Sequence, residues 1–221
     1  MRENQGITRR VLVGGTLAAG ALALTAGHAA TWPQVAQAQD GMAQGTGQTN
    51  NPEADTQYGF LVNVQRCINC GKCVEACRLW SRTPQSAPAR RKVEPYITGV
   101  GRELFLSLSC MHCRKPSCRE VCPAGAIKKG EGGIVTVDKD RCIGCKYCYQ
   151  ACPFEVPHYN AVSMDKCDYC LGAGVPLGDP PRCVRACKVG ALRYGKVEEL
   201  LARSSRAMKI GGATDPSYVL V

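Results

Sequence analysis

Cys142-Ile143-Gly144-Cys145-Lys146-Tyr147-Cys148-Tyr149-Gln150-Ala151-Cys152-Pro153 sets four cysteines at the spacing C-x2-C-x2-C-x3-C and closes on proline. Cysteines two residues apart in a loop can turn three thiolates around one polynuclear core. The fourth then opens a helix that points away from that core, toward a second one. Cys67, Cys70, Cys73 and Cys77 repeat this spacing without change. Cys110, Cys113, Cys118 and Cys122 widen the middle gap to x4, and Cys167, Cys170, Cys183 and Cys187 widen it to x12. The four runs use all 16 cysteines of the 221-residue chain.

The repeat reads as four [4Fe–4S] sites. Zinc would use two separated C-x2-C knuckles and has no use for a third cysteine at the next x2 step. Disulfides impose no such period. Pro123 and Pro153 follow the fourth cysteine of runs two and three, as in two-cluster bacterial ferredoxins. Arg78 and Lys188 stand at that place in the outer runs, a departure that removes no ligand.

Flanking segments suggest how the runs pair. Ala126-Ile127-Lys128, the glycine-rich 130–133 and Ile134-Val135-Thr136-Val137 read as a hairpin joining runs two and three. Phe60-Leu61-Val62-Asn63-Val64 reads as an opening strand and Ala191-Leu192-Arg193-Tyr194 as a closing one. No comparable hairpin is expected between runs one and two. The expected fold is α+β and loop-rich: two nested ferredoxin-like modules stapled by four clusters. The outer module covers 57–80 and 163–198, and the inserted module covers 103–162, within a domain of 57–198. Centre A then takes Cys67, Cys70, Cys73 and Cys187. Centre B takes Cys110, Cys113, Cys118 and Cys152. Centre C takes Cys142, Cys145, Cys148 and Cys122, and centre D takes Cys167, Cys170, Cys183 and Cys77. The competing arrangement pairs run one with two and three with four.

With 24 Gly, 13 Pro and 6% aromatic residues, the chain lacks the makings of a large conventional core and needs metal staples. Its formal charge of +10 invites a nucleic-acid reading. Four clusters, each about 2− with its thiolates, would remove most of that excess. Arg2, Arg9 and Arg10 against Glu3 account for the rest within residues 1–38. No aromatic-interleaved basic patch accompanies the charge, so no nucleic-acid partner is expected.

Thr8-Arg9-Arg10-Val11-Leu12, a mild Gly/Ala-rich apolar stretch and Ala36-Gln37-Ala38 occur in the order of an export signal. Residues 1–38 resemble a twin-arginine signal, although Leu12 and Gly14 depart from its full pattern. Residues 39–56 read as a flexible linker. No stretch reads as a membrane span. The expected location is the periplasm or the outer face of the cytoplasmic membrane.

The runs with their neighbours, notably Cys110-Met111-His112-Cys113, Asp140-Arg141-Cys142 and Lys166-Cys167-Asp168-Tyr169-Cys170, give the chain a family likeness. Over about residues 57–198 it resembles the four-cluster iron–sulfur subunits of dimethyl-sulfoxide-reductase-type molybdenum oxidoreductases. The resemblance implies a non-catalytic electron carrier beside a molybdopterin-containing catalytic subunit. A membrane subunit that exchanges electrons with quinone is the implied partner at the far end. Cys145, where nitrate-reductase relatives carry Trp, implies four full [4Fe–4S] clusters. Three other readings remain: the iron–sulfur subunit of an exported hydrogenase, a free polyferredoxin, and a zinc-stapled binding module. Residues 79–102 and the tail 199–221 are read as partner-contact candidates or surface loop. His112 is read as a tuning donor or a packing residue, Trp80 as packing, and Arg141 and Lys146 as charge partners of centre C.

Overall fold

The computed structural model describes residues 56–160 and 163–221. The expected export signal and, Thr56 apart, the expected linker lie outside the described residues. Along the chain stand β1 (Tyr58–Val62), α1 (Lys72–Ser81), β2 (Lys92–Ile97), β3 (Glu103–Leu108), α2 (Ser117–Glu120), β4 (Ile127–Lys129) and β5 (Val135–Val137). They are followed by α3 (Tyr147–Gln150), β6 (His158–Tyr159), β7 (Met164–Asp165), α4 (Arg182–Arg185), β8 (Leu192–Lys196), α5 (Val197–Ala202), β9 (Met208–Lys209) and β10 (Tyr218–Leu220). The class is α+β with long irregular connections.

The centre is a four-stranded sheet in the order β8-β1-β10-β9. Strand β1 reads as an unbroken apolar run because both of its faces are covered. Phe60 and Val62 face Tyr169, Leu192 and Tyr218, while Leu61 packs with Val197, Leu200 and Val219. Val197 and Leu200 are the buried stripe of α5, three residues apart, which closes the second face. β1 pairs antiparallel with β8, Phe60 opposite Tyr194. On its other edge it pairs parallel with β10, Phe60 opposite Tyr218. The approach is so close that a Cβ on Gly59 would stand 2.2 Å from the carbonyl oxygen of Ser217.

Two expectations are corrected here. Residues 199–221 are not a tail beyond the domain. β1 has a second edge whose amides and carbonyls need partners, and β10 fills it, with Tyr218 and Val219 fully buried. Residues 92–97, inside the segment read as partner contact or surface loop, form β2 and pair with β3 from Lys92–Leu108 to Ile97–Glu103. A hairpin therefore does lie between runs one and two. Its outer strand is largely exposed and tolerates Pro95 because it is an edge. The hairpin between runs two and three has Ile127 opposite Val137, and β6 pairs with β7 in a third, two-residue hairpin. Helix α1 packs on α4, and α2 packs on α3.

Candidate metal centres

All sixteen cysteines are free thiols. The residue just before the second cysteine of each run has left-handed backbone: Asn69 at φ 53, His112 at 41, Gly144 at 67 and Tyr169 at 54. Non-glycine residues rarely adopt this conformation, and four repeats of it at one sequence position mark a functional constraint. Such turns point successive backbone N–H groups into one concavity, which suits an anionic cluster.

The thiols gather in four groups. Cys67, Cys70, Cys73 and Cys187 line a cavity walled by Val62, Ile68, Val189 and Leu192. Cys122, Cys142, Cys145 and Cys148 line another, with Ile127, Ile143 and Met164. Cys77, Cys167 and Cys170 border a larger, open recess beside Leu79, Trp80 and Lys139. Cys183 acts on the Cys77 and Cys167 thiols of that group. Cys110, Cys113, Cys118 and Cys152 influence one another as the fourth group. In each group the fourth thiol comes from a different run.

The residues fit iron–sulfur clusters. Burial pushes the Cys77 and Cys118 thiols up to about 12 and Cys113 up to about 11. Burial and the neighbouring Cys77 push Cys167 well above its ordinary value. Such thiols become thiolates when a cationic core is present to hold them, so assembly releases protons. Among the described residues no three His, Cys, Asp or Glu side chains close on a single-ion position. The thiols of three groups instead line cavities.

Donors to sulfur are already in place. The N–H groups of Ala126 and Met164 reach Cys122 Sγ at 3.3 Å and Cys142 Sγ at 3.4 Å. Tyr159 Oη lies 2.9 Å from Cys148 Sγ, and Ser107 Oγ lies 3.5 Å from Cys73 Sγ. The buried Thr214 hydroxyl meets no hydrogen-bond geometry with any described residue, yet it stands near enough to Cys113 to oppose that thiol's rise.

His112 is fully buried and stacked on Tyr169 at 3.8 Å between ring centroids. Its Nδ1 accepts the Val135 N–H at 3.0 Å, and burial followed by Lys166 and Arg91 holds it neutral. It therefore carries its proton on Nε2, which has no partner among the described residues. Arg141 and Lys146, expected as charge partners of centre C, are exposed. The cations in the interior are others: Arg91 and Lys166 are both buried. Lys166 Nζ donates to the carbonyls of Val135 and Cys167 and opposes the rise of Cys118. Sequence reasoning missed both, because buried Arg and Lys are rare. The place of Lys166 beside a ligand cysteine is the signal that could have drawn notice.

Two models described as "4Fe-4S dicluster domain" match residues 102–197 and 66–126. The probable anaerobic dimethyl sulfoxide reductase subunit YnfG of Escherichia coli K12 is 42% identical over 158 residues, covering 66% of this chain and 76% of that protein. The B subunit of the anaerobic dimethyl sulfoxide reductase of the same strain is 41% identical over 158 residues, with the same two coverages of 66% and 76%. The thiosulfate reductase electron transfer subunit PhsB of Salmonella typhi is 38% identical over 149 residues, 65% of this chain and 78% of that protein. The chain thus belongs to the iron–sulfur electron-transfer subunits of molybdopterin oxidoreductases, and it is a non-catalytic member of such a complex.

Proposed function

We propose that the chain holds four [4Fe–4S] clusters in two nested ferredoxin-like modules. In this reading it conducts electrons between a molybdopterin catalytic subunit and a membrane quinone-linked or other redox partner. The observation that carries the proposal is the grouping of thiols: each set of three from one run is completed by the fourth cysteine of another run. Cys187 completes centre A, Cys152 centre B, Cys122 centre C and Cys77 centre D. The pairing of β1 with β8 and the packing of α1 on α4 support an outer module, and α2 on α3 supports an inner one. Cys110 adds to the rise of Cys167, which supports placing centres B and D next to each other.

A cluster supplies one-electron exchange; the chain's residues hold it, shield it and set its charge environment. The named relatives are subunits of dimethyl sulfoxide and thiosulfate reductases, which supports a molybdopterin partner for this chain. No helix among the described residues is long and apolar enough to cross a membrane, so quinone chemistry is assigned to another subunit. Export by the twin-arginine route, through Arg9 and Arg10, completes the proposal.

Anaerobic purification should give about sixteen irons and as many labile sulfides per chain. Cys187→Ser and Cys70→Ser should disturb the same spectroscopic cluster. Stoichiometric zinc without iron, or a Cys187→Ser effect on the cluster bound by Cys142 and Cys145, would overturn the reading.

A further inference from the structure

The hairpin of β6 and β7 is two residue pairs long, with His158 opposite Asp165 and Tyr159 opposite Met164. So short a ladder does not hold itself in water. It is tied at both ends. At the turn, Asn160 N–H donates to the Ser163 carbonyl at 3.1 Å, and Ser163 N–H donates to Asn160 Oδ1 at 2.7 Å. At the open end, Asp165 takes the forked Arg90 at 2.7 and 2.8 Å and Lys139 at 3.2 Å. These ties fix two residues whose polar atoms face the thiols of centre C.

Tyr159 and Met164 stand opposite each other across the ladder, and each reaches a sulfur. Tyr159 Oη lies 2.9 Å from Cys148 Sγ, and the Met164 N–H meets Cys142 Sγ at 3.4 Å. A third donor, the Ala126 N–H beside β4, meets Cys122 Sγ at 3.3 Å. Cys145, which carries the fourth sulfur, is exposed. Tyr159 lines the same cavity as these four cysteines. A thiol and a phenol can each donate, so the free chain leaves the direction of the Tyr159–Cys148 contact open. Ligation removes the choice: a thiolate has no hydrogen, and the phenol must donate. Of the three donors this is the one supplied by a side chain, and so the one that a substitution can take away.

Resting on the four-cluster reading above, we infer that Tyr159 is a positioning residue of centre C, whose hydroxyl donates to the Cys148 sulfur and raises that centre's reduction potential. Reduction adds one electron to a centre that is already anionic, and part of the added charge falls on the ligand sulfurs. A donor to sulfur is then held more tightly in the reduced state than in the oxidised one, which favours the reduced state. The electron alone is transferred; the phenolic hydrogen stays on its oxygen. The contact is with one ligand of one centre, so the effect is confined to centre C.

The test uses the full chain, purified anaerobically, with iron and sulfide assayed before any titration. Signals are assigned to centres by Cys73→Ser, Cys118→Ser, Cys145→Ser and Cys183→Ser, and potentials are read by EPR-monitored redox titration. Tyr159→Phe keeps the ring and removes the hydroxyl. It should keep its iron and make centre C about tenfold harder to reduce, a fall of about 59 mV for one electron. Centres A, B and D should stay in place. Tyr159→3-fluorotyrosine, a stronger donor of nearly the same shape, should move centre C the opposite way. A purely structural role for the ring predicts neither shift. An unmoved centre C in iron-replete Tyr159→Phe, or an equal shift in all four centres, overturns the inference. If Tyr159→Phe loses its iron, the fluorinated chain decides: a centre C that is unmoved or lowered overturns the inference. A wild-type chain that carries no iron sinks the cluster reading instead, and the zinc assay separates that outcome from this one.

Discussion

Runs one and three have the same cysteine spacing, and the chain leaves them in different ways. Each enters its helix from a left-handed residue, Gly71 in one and Lys146 in the other. Helix α3 then stops after 4 residues, while α1 continues for 10. The residue after the fourth cysteine explains the difference. Pro153 has no N–H to give a helix and disfavours helical backbone in Cys152 before it. Arg78 allows a further turn, which ends at Arg82 with φ 54. Arg78 Nη1 then donates to the carbonyls of Pro84 and Ala87, each at 2.8 Å, fixing the chain beyond the helix. That extra turn carries Leu79, 73% exposed, and Trp80, 44% exposed, to the rim of the recess at centre D. The cysteine spacing decides where thiols go. In these two runs the next residue decides whether the helix also builds a surface; α4 stops after 4 residues although Lys188 follows Cys187.

The sharpest way to break the comparison is Arg78→Pro, which gives run one the ending of run three. It should cost about 3 kcal/mol, because the proline falls inside a helix that now extends past it. Denaturant unfolding of the iron-loaded protein measures this; an unchanged midpoint would mean that the extra turn is not held by helical hydrogen bonds. A smaller effect should come from the tie between the two regions. Arg90, in the segment after α1, forks onto Asp165 of β7 at 2.7 and 2.8 Å. Asp165→Asn should cost about 2 kcal/mol, the worth of charge-assisted hydrogen bonds. Burial raises the Asp165 carboxyl, but hydrogen bonds and charge from Arg90 and Lys139 win and hold it below its ordinary value. Its contribution is therefore present above the ordinary carboxylate range and fades as the pH falls through about 4 and below. The stability gap between wild type and Asp165→Asn should close on acidification, and a gap that stays constant would refute the assignment. The smallest effect belongs to Trp80→Ala. Arg182 stacks on that ring at 3.8 Å, and at a part-exposed site such a contact is worth about 0.5–1 kcal/mol. A loss in the isolated chain well above that range would make Trp80 a core residue rather than part of an outer surface.

The sequence made the thiol runs legible because ligation demands cysteine at fixed steps. It also showed β1, β8 and the hairpin β4–β5, where apolar runs meet glycine-rich turns. The hairpin β2–β3 was hidden. Val93, Pro95 and Ile97 alternate with polar or exposed residues on a strand that has little burial to enforce a pattern, and proline inside it argues against a strand. Strand β10 has three residues and pairs with a segment far earlier in the chain, so no local signal marks it. Arg91 and Ser107 were invisible for the same reason. Their hydrogen bonds with each other and with Tyr218 come from the placement of that hairpin against β10 and carry no motif of their own.

The sheet has a further consequence for the order in which the molecule can be made. Both partners of β1 follow all the earlier cysteines: β8 begins at Leu192 and β10 at Tyr218, after Cys187. On a growing chain, β1 emerges first and waits with bare edges while every ligand is synthesised. Loop closure over such a span is slow compared with local hairpins. The short hairpin β4–β5 can form early, so the thiols around it are gathered before those that depend on β1. Pairing of β1 with β8 then brings Cys67 and Cys187 together in one event, and pairing with β10 places Tyr218 against Arg91. The sheet works as a latch, closing over metal sites whose ligands are already all on hand.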